Sequence, residues 1–155
     1  MGRMTGSFRK VAGQRGFAMV EFVIGLPILL LLLLAVAETG RMISEYNMLT
    51  MATRDAARYV SRNAINPTLG TIELSASLTG TARNLLVYNA PMAGTPVLAG
   101  LTPGDVQVVA VGAEHVRVSV TYTFRPAVES QLPGFFGEAI SLEIPLTAST
   151  VMRAM

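Results

Sequence analysis

The sequence predicts an α+β chain. A long N-terminal helix, half transmembrane and half extracytoplasmic, comes first, and a short helix and a small antiparallel β-sheet come after it. Three observations predict this. An apolar run extends from Phe17 to Ala37. A helical stripe continues past that run to Val60, and the last third alternates apolar and polar residues with period two. The chain accordingly divides into a basic cytoplasmic leader (1–16), a transmembrane helix (17–37), an extracytoplasmic continuation of that helix (38–62) and a small extracytoplasmic α+β domain (63–155).

The run comes first in order. Between Phe22 and Val36 stand twelve Leu, Ile, Val or Phe residues, including six consecutive leucines from Leu29 to Leu34. At the insertion scale's values these favour the bilayer by about 4 to 7 kcal/mol, against about 3 for an acid at the helix centre. Glu21 lies near the end of the run and costs less than that, so the segment inserts. A helix over 17–37 rises roughly 31 Å, close to the hydrocarbon thickness. Pro27 removes one backbone hydrogen bond and is expected to bend it.

Orientation follows from charge. Residues 1–16 carry Arg3, Arg9, Lys10 and Arg15 and no acid. Positive flanks stay in the cytoplasm, which puts the N-terminus inside and the C-terminal domain outside. The whole chain has 12 basic and 10 acidic residues, so removing the leader's four bases leaves eight against ten. The sequence pI of about 9.4 therefore belongs to the leader, and a nucleic-acid partner loses its main support.

Beyond Ala37, Met42, Tyr46, Leu49, Thr53, Ala56 and Val60 form one helical stripe. Glu38 with Arg41, Arg41 with Glu45, and Asp55 with Arg58 stand at spacings that join opposite charges on a helix. Pro67 pushes Asn66 out of helical geometry and ends the helix near Arg62. The stripe is expected to pack on the protein's own sheet; a coiled-coil-like surface for a partner helix is the sharper alternative. Leu78, Ala82, Leu85 and Leu86 predict a second helix over about Thr79 to Asn89. Pro91, Gly94, Pro96, Gly100 and a Thr102–Asp105 turn punctuate the connection from this helix to the sheet.

In the last third, Val116, Val118, Val120, Tyr122 and Phe124 alternate with polar residues, and Val106, Val108 and Ala110 supply a preceding strand across a turn near Gly112. Ile140, Leu142, Ile144 and Leu146 predict one final strand to about Val151, with Pro145 marking it as an edge or a bulge. Phe135 and Phe136 are expected as a plug under the sheet.

Catalytic chemistry finds no foothold in the sequence. There is no cysteine and one histidine, His115, which excludes the usual zinc ligand sets. His115 reads as an exposed turn residue beside Glu114. The glycines are scattered through turns and form no phosphate-cradling loop. No enzyme activity, cofactor, metal or small-molecule substrate is expected.

The most specific feature is Gly16-Phe17-Ala18-Met19-Val20-Glu21-Phe22, a glycine five residues before a lone carboxylate at the mouth of the span. An acid in a membrane segment is a functional-site hypothesis by default. This stretch resembles the class III signal peptides of the type IV pilin superfamily. The closer resemblance is to the TadE-like family of tight-adherence (Flp) pilus systems. It rests on Arg15 to Phe22, on Pro27 in the leucine-rich span, on Glu38-Thr39-Gly40-Arg41, on Ala52 to Val60, and on the closing Ala148 to Arg153.

The resemblance implies a pilin-like layout and a minor pseudopilin. A prepilin peptidase would cut after Gly16 on the cytoplasmic side and leave Phe17 as the new N-terminus. Glu21 would then serve assembly by meeting the terminal amine of a neighbouring subunit, since each charge costs less in low dielectric when paired. Phe22, Pro27, Leu29 and Leu34 would belong to the span. The implied partners are the membrane, the peptidase, other pilin or pseudopilin subunits and the assembly platform. The implied location is the bacterial inner membrane, single-pass, or a surface pilus that incorporates the subunit. Major Flp pilins are much shorter and carry Glu-Tyr where this chain has Glu21-Phe22, which points to an accessory subunit. Two other readings stay open at this point. One is a membrane-anchored extracytoplasmic binding domain. The other is a secreted protein cut after Ala37, because Ala35-Val36-Ala37 has the small-x-small form of a signal-peptidase site.

Overall fold

A computed structural model of the chain describes residues 14–126, 131–132, 140–141 and 143–155. Two sequence expectations lie outside the described residues, the leader's first thirteen residues and the Phe135-Phe136 plug. The described elements are helix α1 (Gln14–Asn63), helix α2 (Ala76–Tyr88) and strands β1 (Val106–Val111), β2 (His115–Thr123), β3 (Gln131–Leu132), β4 (Ile140–Ser141) and β5 (Pro145–Arg153). This is the expected α+β, pilin-like layout. The chain divides into two units at Thr39–Gly40, although α1 runs through that boundary as continuous helix.

In the first unit, α1 passes through Pro27 without a break. Its apolar side chains face outward: Phe17, Phe22 and Leu29 are 76%, 65% and 61% exposed. It is the one described helix long and apolar enough to cross a membrane.

The second unit is built on a three-stranded antiparallel sheet in the order β1-β2-β5. The β1–β2 hairpin pairs Val106 with Val120 and Val111 with His115. Its three-residue turn places Gly112 at φ +67°, a conformation glycine adopts without a Cβ clash. The β2–β5 pairing sets His115 against Arg153 and Thr123 against Pro145. Alternation then sorts the faces. Val116, Val118, Val120 and Tyr122 are buried with Leu146 and Ala148, while Arg117, Thr121, Thr147 and Ser149 are exposed.

The outer part of α1 completes the core. Leu49, Thr53, Ala56 and Val60 from the expected stripe are buried, with Met42 packed at its margin. Tyr46 departs from the pattern at 44% exposure. The stripe is spent on the protein's own sheet and offers no coiled-coil seam. Helix α2 adds Leu78, Ala82, Leu86 and Val87. It starts one turn earlier than its apolar spacing predicts, because the Ser75 hydroxyl accepts from the Leu78 N–H at 3.2 Å and caps it. Asn89 ends it in the left-handed region. The Thr102 turn is one turn of 3₁₀ helix, with the Thr102 N–H and hydroxyl both donating to the Asp105 carboxylate.

The final strand departs from the sequence expectation. Ile140–Ser141 pairs with Gln131–Leu132 in a separate two-stranded ladder, and β5 begins afresh at Pro145. Leu142 lies outside the described residues, and Ile144 is 41% exposed. Proline cannot donate to a ladder, and the first residue of an edge strand is where that loss is tolerated. The period-two signal ran across Pro145 because Leu146 resumes the same phase.

Candidate processing and assembly site

Gln14, Arg15, Gly16 and Phe17 are the first four described residues of α1. A glycine inside a helix lowers its local stability by about 1 kcal/mol relative to alanine, so the backbone beside the Gly16–Phe17 bond opens more readily than an alanine there would allow. No acidic side chain occupies this first turn.

Glu21 lies one turn further on and is exposed, as are Phe22 and Pro27; Leu34 is half-buried. Glu21 shares a groove of about 390 Å³ on the helix surface with Ala18, Phe22, Gly25, Leu26 and Leu29. The spacing explains the groove. Ala18, Glu21 and Gly25 stand three and four residues apart, so they fall on one face. A Cβ built on Gly25 meets nothing within 4 Å, which leaves a notch one turn above the carboxylate. Side chains on a helix lean toward its N-terminus, so the Glu21 carboxylate reaches back over the Ala18 turn. The Gly16–Glu21 spacing was legible in the sequence. The Gly25 notch was not singled out there, although a glycine four residues after the acid was the available signal.

The second unit holds a polar cluster whose members the sequence did not bring together. Arg41 pairs with Glu45 at 3.9 Å, as their spacing predicts. It also lies over the Phe124 ring, 5.0 Å from the centroid, and donates to the Arg125 carbonyl. Nearby, Tyr122 donates to the Ala99 carbonyl at 3.2 Å. Burial, and then the Glu45 carboxylate, push the Tyr122 hydroxyl above its ordinary value of 10.0, while Arg125 and Arg41 pull the other way. These contacts join α1 to the end of β2 and have the character of a structural clamp. A further expected helix pair, Asp55 with Arg58, forms at 3.9 Å. His115 is exposed at the start of β2, beside the hairpin turn.

Comparison with protein families bears on the first of these places. Residues 16–58 match the family described as TadE-like protein. The similarity is confined to this segment. The match begins at Gly16, takes in Glu21 and the whole apolar run, and ends at Arg58 near the close of α1. The matched segment thus lies within the helix, and the sheet domain lies beyond it. Neither the curated proteins nor the solved structures gave a match to the chain. The TadE-like match and the long apolar helix together fit a pilus-associated membrane protein.

Proposed function

We propose that the chain is a minor pseudopilin of a tight-adherence (Flp-type) pilus or a related secretion machine. A prepilin peptidase cuts it after Gly16, and Glu21 then takes part in assembly. The observation that carries this reading is the glycine five residues before the lone acid, at the mouth of the apolar run and at the first residue of the TadE-like match. The chemistry supports it. Cleavage exposes an α-amine at Phe17, and the carboxylate of a second subunit is the natural counter-charge for an amine held at the edge of a low-dielectric layer. The groove beside Glu21 gives an approaching helix room to bring its backbone close.

The same reading orients the chain. The basic leader holds the N-terminus in the cytoplasm of the bacterial inner membrane, and the sheet domain stands outside. The partners are then the peptidase, neighbouring pilin or pseudopilin subunits and the assembly platform, and the protein serves structure and adhesion.

The test is the mature N-terminus, determined by mass spectrometry on protein from the native host. A chain starting at Phe17 is the expected result. A start at Glu38 would sink the proposal in favour of a secreted protein, and an intact leader would favour a plain membrane anchor. The helix runs unbroken across Ala37 and Glu38, which leaves no extended segment there for a signal peptidase.

A further inference from the structure

The sheet stops at two strands, β1 and β5, that pair only on their inner sides. The ladder shows which backbone groups are left over. The Phe124 N–H donates to the Ile144 carbonyl and the Ala154 N–H to the Glu114 carbonyl, at 2.9 and 2.8 Å. Bonded positions in an antiparallel pair recur every second residue, so the even residues of β5 bond β2 and the odd ones turn outward. The free edge of β5 is therefore the N–H and C=O groups of Thr147, Ser149, Val151 and Arg153, with the Pro145 carbonyl. On β2 the odd residues remain for β1, which meets them through Gln107, Val109 and Val111. Val106, Val108 and Ala110 are then the free edge of β1. The Val106 N–H is already spent on the Pro103 carbonyl. The remaining edge groups have no backbone partner among the described residues.

Neither edge is blunted along its length. Sheets commonly protect a free edge with a charge, a proline or a bulge. Val106 to Val111 and Leu146 to Met152 hold no charged residue, no glycine and no proline. Pro145 and Arg153 mark only the two ends of β5.

We infer that the β5 edge of one copy of this chain pairs with the β1 edge of a second copy. Direction selects this arrangement over two β5 strands pairing with each other. Both β1 and β5 run antiparallel to β2, so they are parallel to one another. Joined head to tail, the second copy follows after three strand steps, and a twist of about 20–25° per step turns it by roughly 60–75°. Two β5 strands paired antiparallel would instead reverse the second copy. The outer part of α1, packed on the sheet through Leu49, Ala56 and Val60, would reverse with it. Copies anchored in one membrane leave it in one direction, which fits only the head-to-tail pair. The inference thus rests on the anchoring in the reading above, and not on cleavage.

Aligning the strand starts sets Leu146 and Thr147 beside Val106 and Gln107 of the second copy. The second copy's Val108 and Ala110 N–H groups then donate to the Thr147 and Ser149 carbonyls. In return, the Thr147, Ser149 and Val151 N–H groups donate to its Val106, Val108 and Ala110 carbonyls. Pro145 and Val106, which have no outward donor to offer, fall together at one end of the ladder. The half-buried Val108 and the exposed Ala110 gain Ala148 and Thr150 as neighbours.

The chain has no cysteine, so introduced ones report alone. Gln107→Cys and Thr147→Cys, both at exposed positions, are placed in two differently tagged full-length chains co-expressed in native-host membranes. At about 4.8 Å between neighbouring strands the two positions are within disulfide reach. Mild oxidation is expected to yield a dimer carrying both tags, and no dimer from either variant alone. Ser149→Pro in the Thr147→Cys chain removes one outward N–H, a change that an edge strand tolerates, and should lower the mixed dimer several-fold. Absence of the mixed dimer, or a yield indifferent to Ser149→Pro, overturns the inference. So does a dimer of Ser149→Cys alone, the mark of two β5 strands paired antiparallel. The mature N-terminus read on the same chains keeps the two proposals apart. A start at Phe17 without mixed dimer sinks the pairing alone, and a mixed dimer on chains with an intact leader sinks the cleavage alone.

Discussion

The two halves of α1 differ in apolar content and put it to opposite use. In the outer half, Leu49, Ala56 and Val60 are buried to 1% exposure or less, because a sheet and a second helix lie within reach of their face. In the inner half, Phe22, Leu29 and Leu32 are 65%, 61% and 65% exposed. Burying a large aliphatic or aromatic side chain is worth about 1.5 to 3 kcal/mol, so a run of bare ones requires a lipid or protein environment supplied from outside the chain. The outer half is thus explained by this molecule's own fold, and the inner half by what surrounds it. The family match does not follow this division: residues 16–58 take in the inner half and most of the outer half, and stop short of the sheet.

The most drastic way to break the comparison is at Gly16. Gly16→Leu is expected to abolish processing, so that the protein in native-host membranes keeps the full precursor mass while the sheet domain folds normally. Leader loss at the wild-type level in this variant would remove Gly16 from the processing site. Glu21→Ala should separate two functions that the same helix carries. Processing proceeds, and incorporation into the assembled pilus, read by shearing and immunoblot of surface material, falls several-fold. Normal incorporation would show that the carboxylate does not serve assembly.

A smaller effect tests the energetics directly. Leu86→Ala, at a fully buried position, should destabilise the sheet-bearing unit by about 2 to 5 kcal/mol in a denaturant titration of the full chain in detergent. Leu29→Ala, on the bare half of the helix, should leave that transition within about 0.5 kcal/mol of wild type. If Leu29→Ala shifts the transition as far as Leu86→Ala does, the two halves do not draw on separate environments.

The sequence revealed the two halves unequally. Hydropathy exposed the inner half completely, because a lipid-facing helix needs only apolar residues and no particular partners. The outer stripe was legible too, and Leu49, Thr53, Ala56 and Val60 fall where their period places them. The exceptions are positions where a second contact competes with period. Helix α2 begins at a serine cap hidden in a run rich in Ser, Thr and Ala. The last apolar alternation is divided between two ladders because a proline falls within it. Arg41 was readable as a partner of Glu45, but its seat over Phe124 depends on a residue 83 positions away, and no local pattern encodes that. At the candidate processing site the spacing of Gly16 and Glu21 was visible, while the notch at Gly25 depends on where neighbouring side chains end.

The smallest expected effect probes the clamp that holds the outer half to its sheet. Tyr122→Phe removes the hydrogen bond to the Ala99 carbonyl and is expected to cost about 1 kcal/mol at neutral pH. Its signature is in the pH dependence. The Tyr122 hydroxyl is raised above 10.0 in the folded protein, first by burial and then by Glu45. Below pH 10 both folded and unfolded chains keep this proton, so its contribution to stability is constant. As pH rises past 10 the unfolded chain ionises first, and the contribution falls until the folded group titrates as well. Wild-type melting temperature should therefore drop faster than that of Tyr122→Phe above pH 10, and the gap between the two should close. Curves that stay parallel through that range would mean that the hydroxyl is not held neutral by the packing of α1 against β2, and the clamp would lose its electrostatic part.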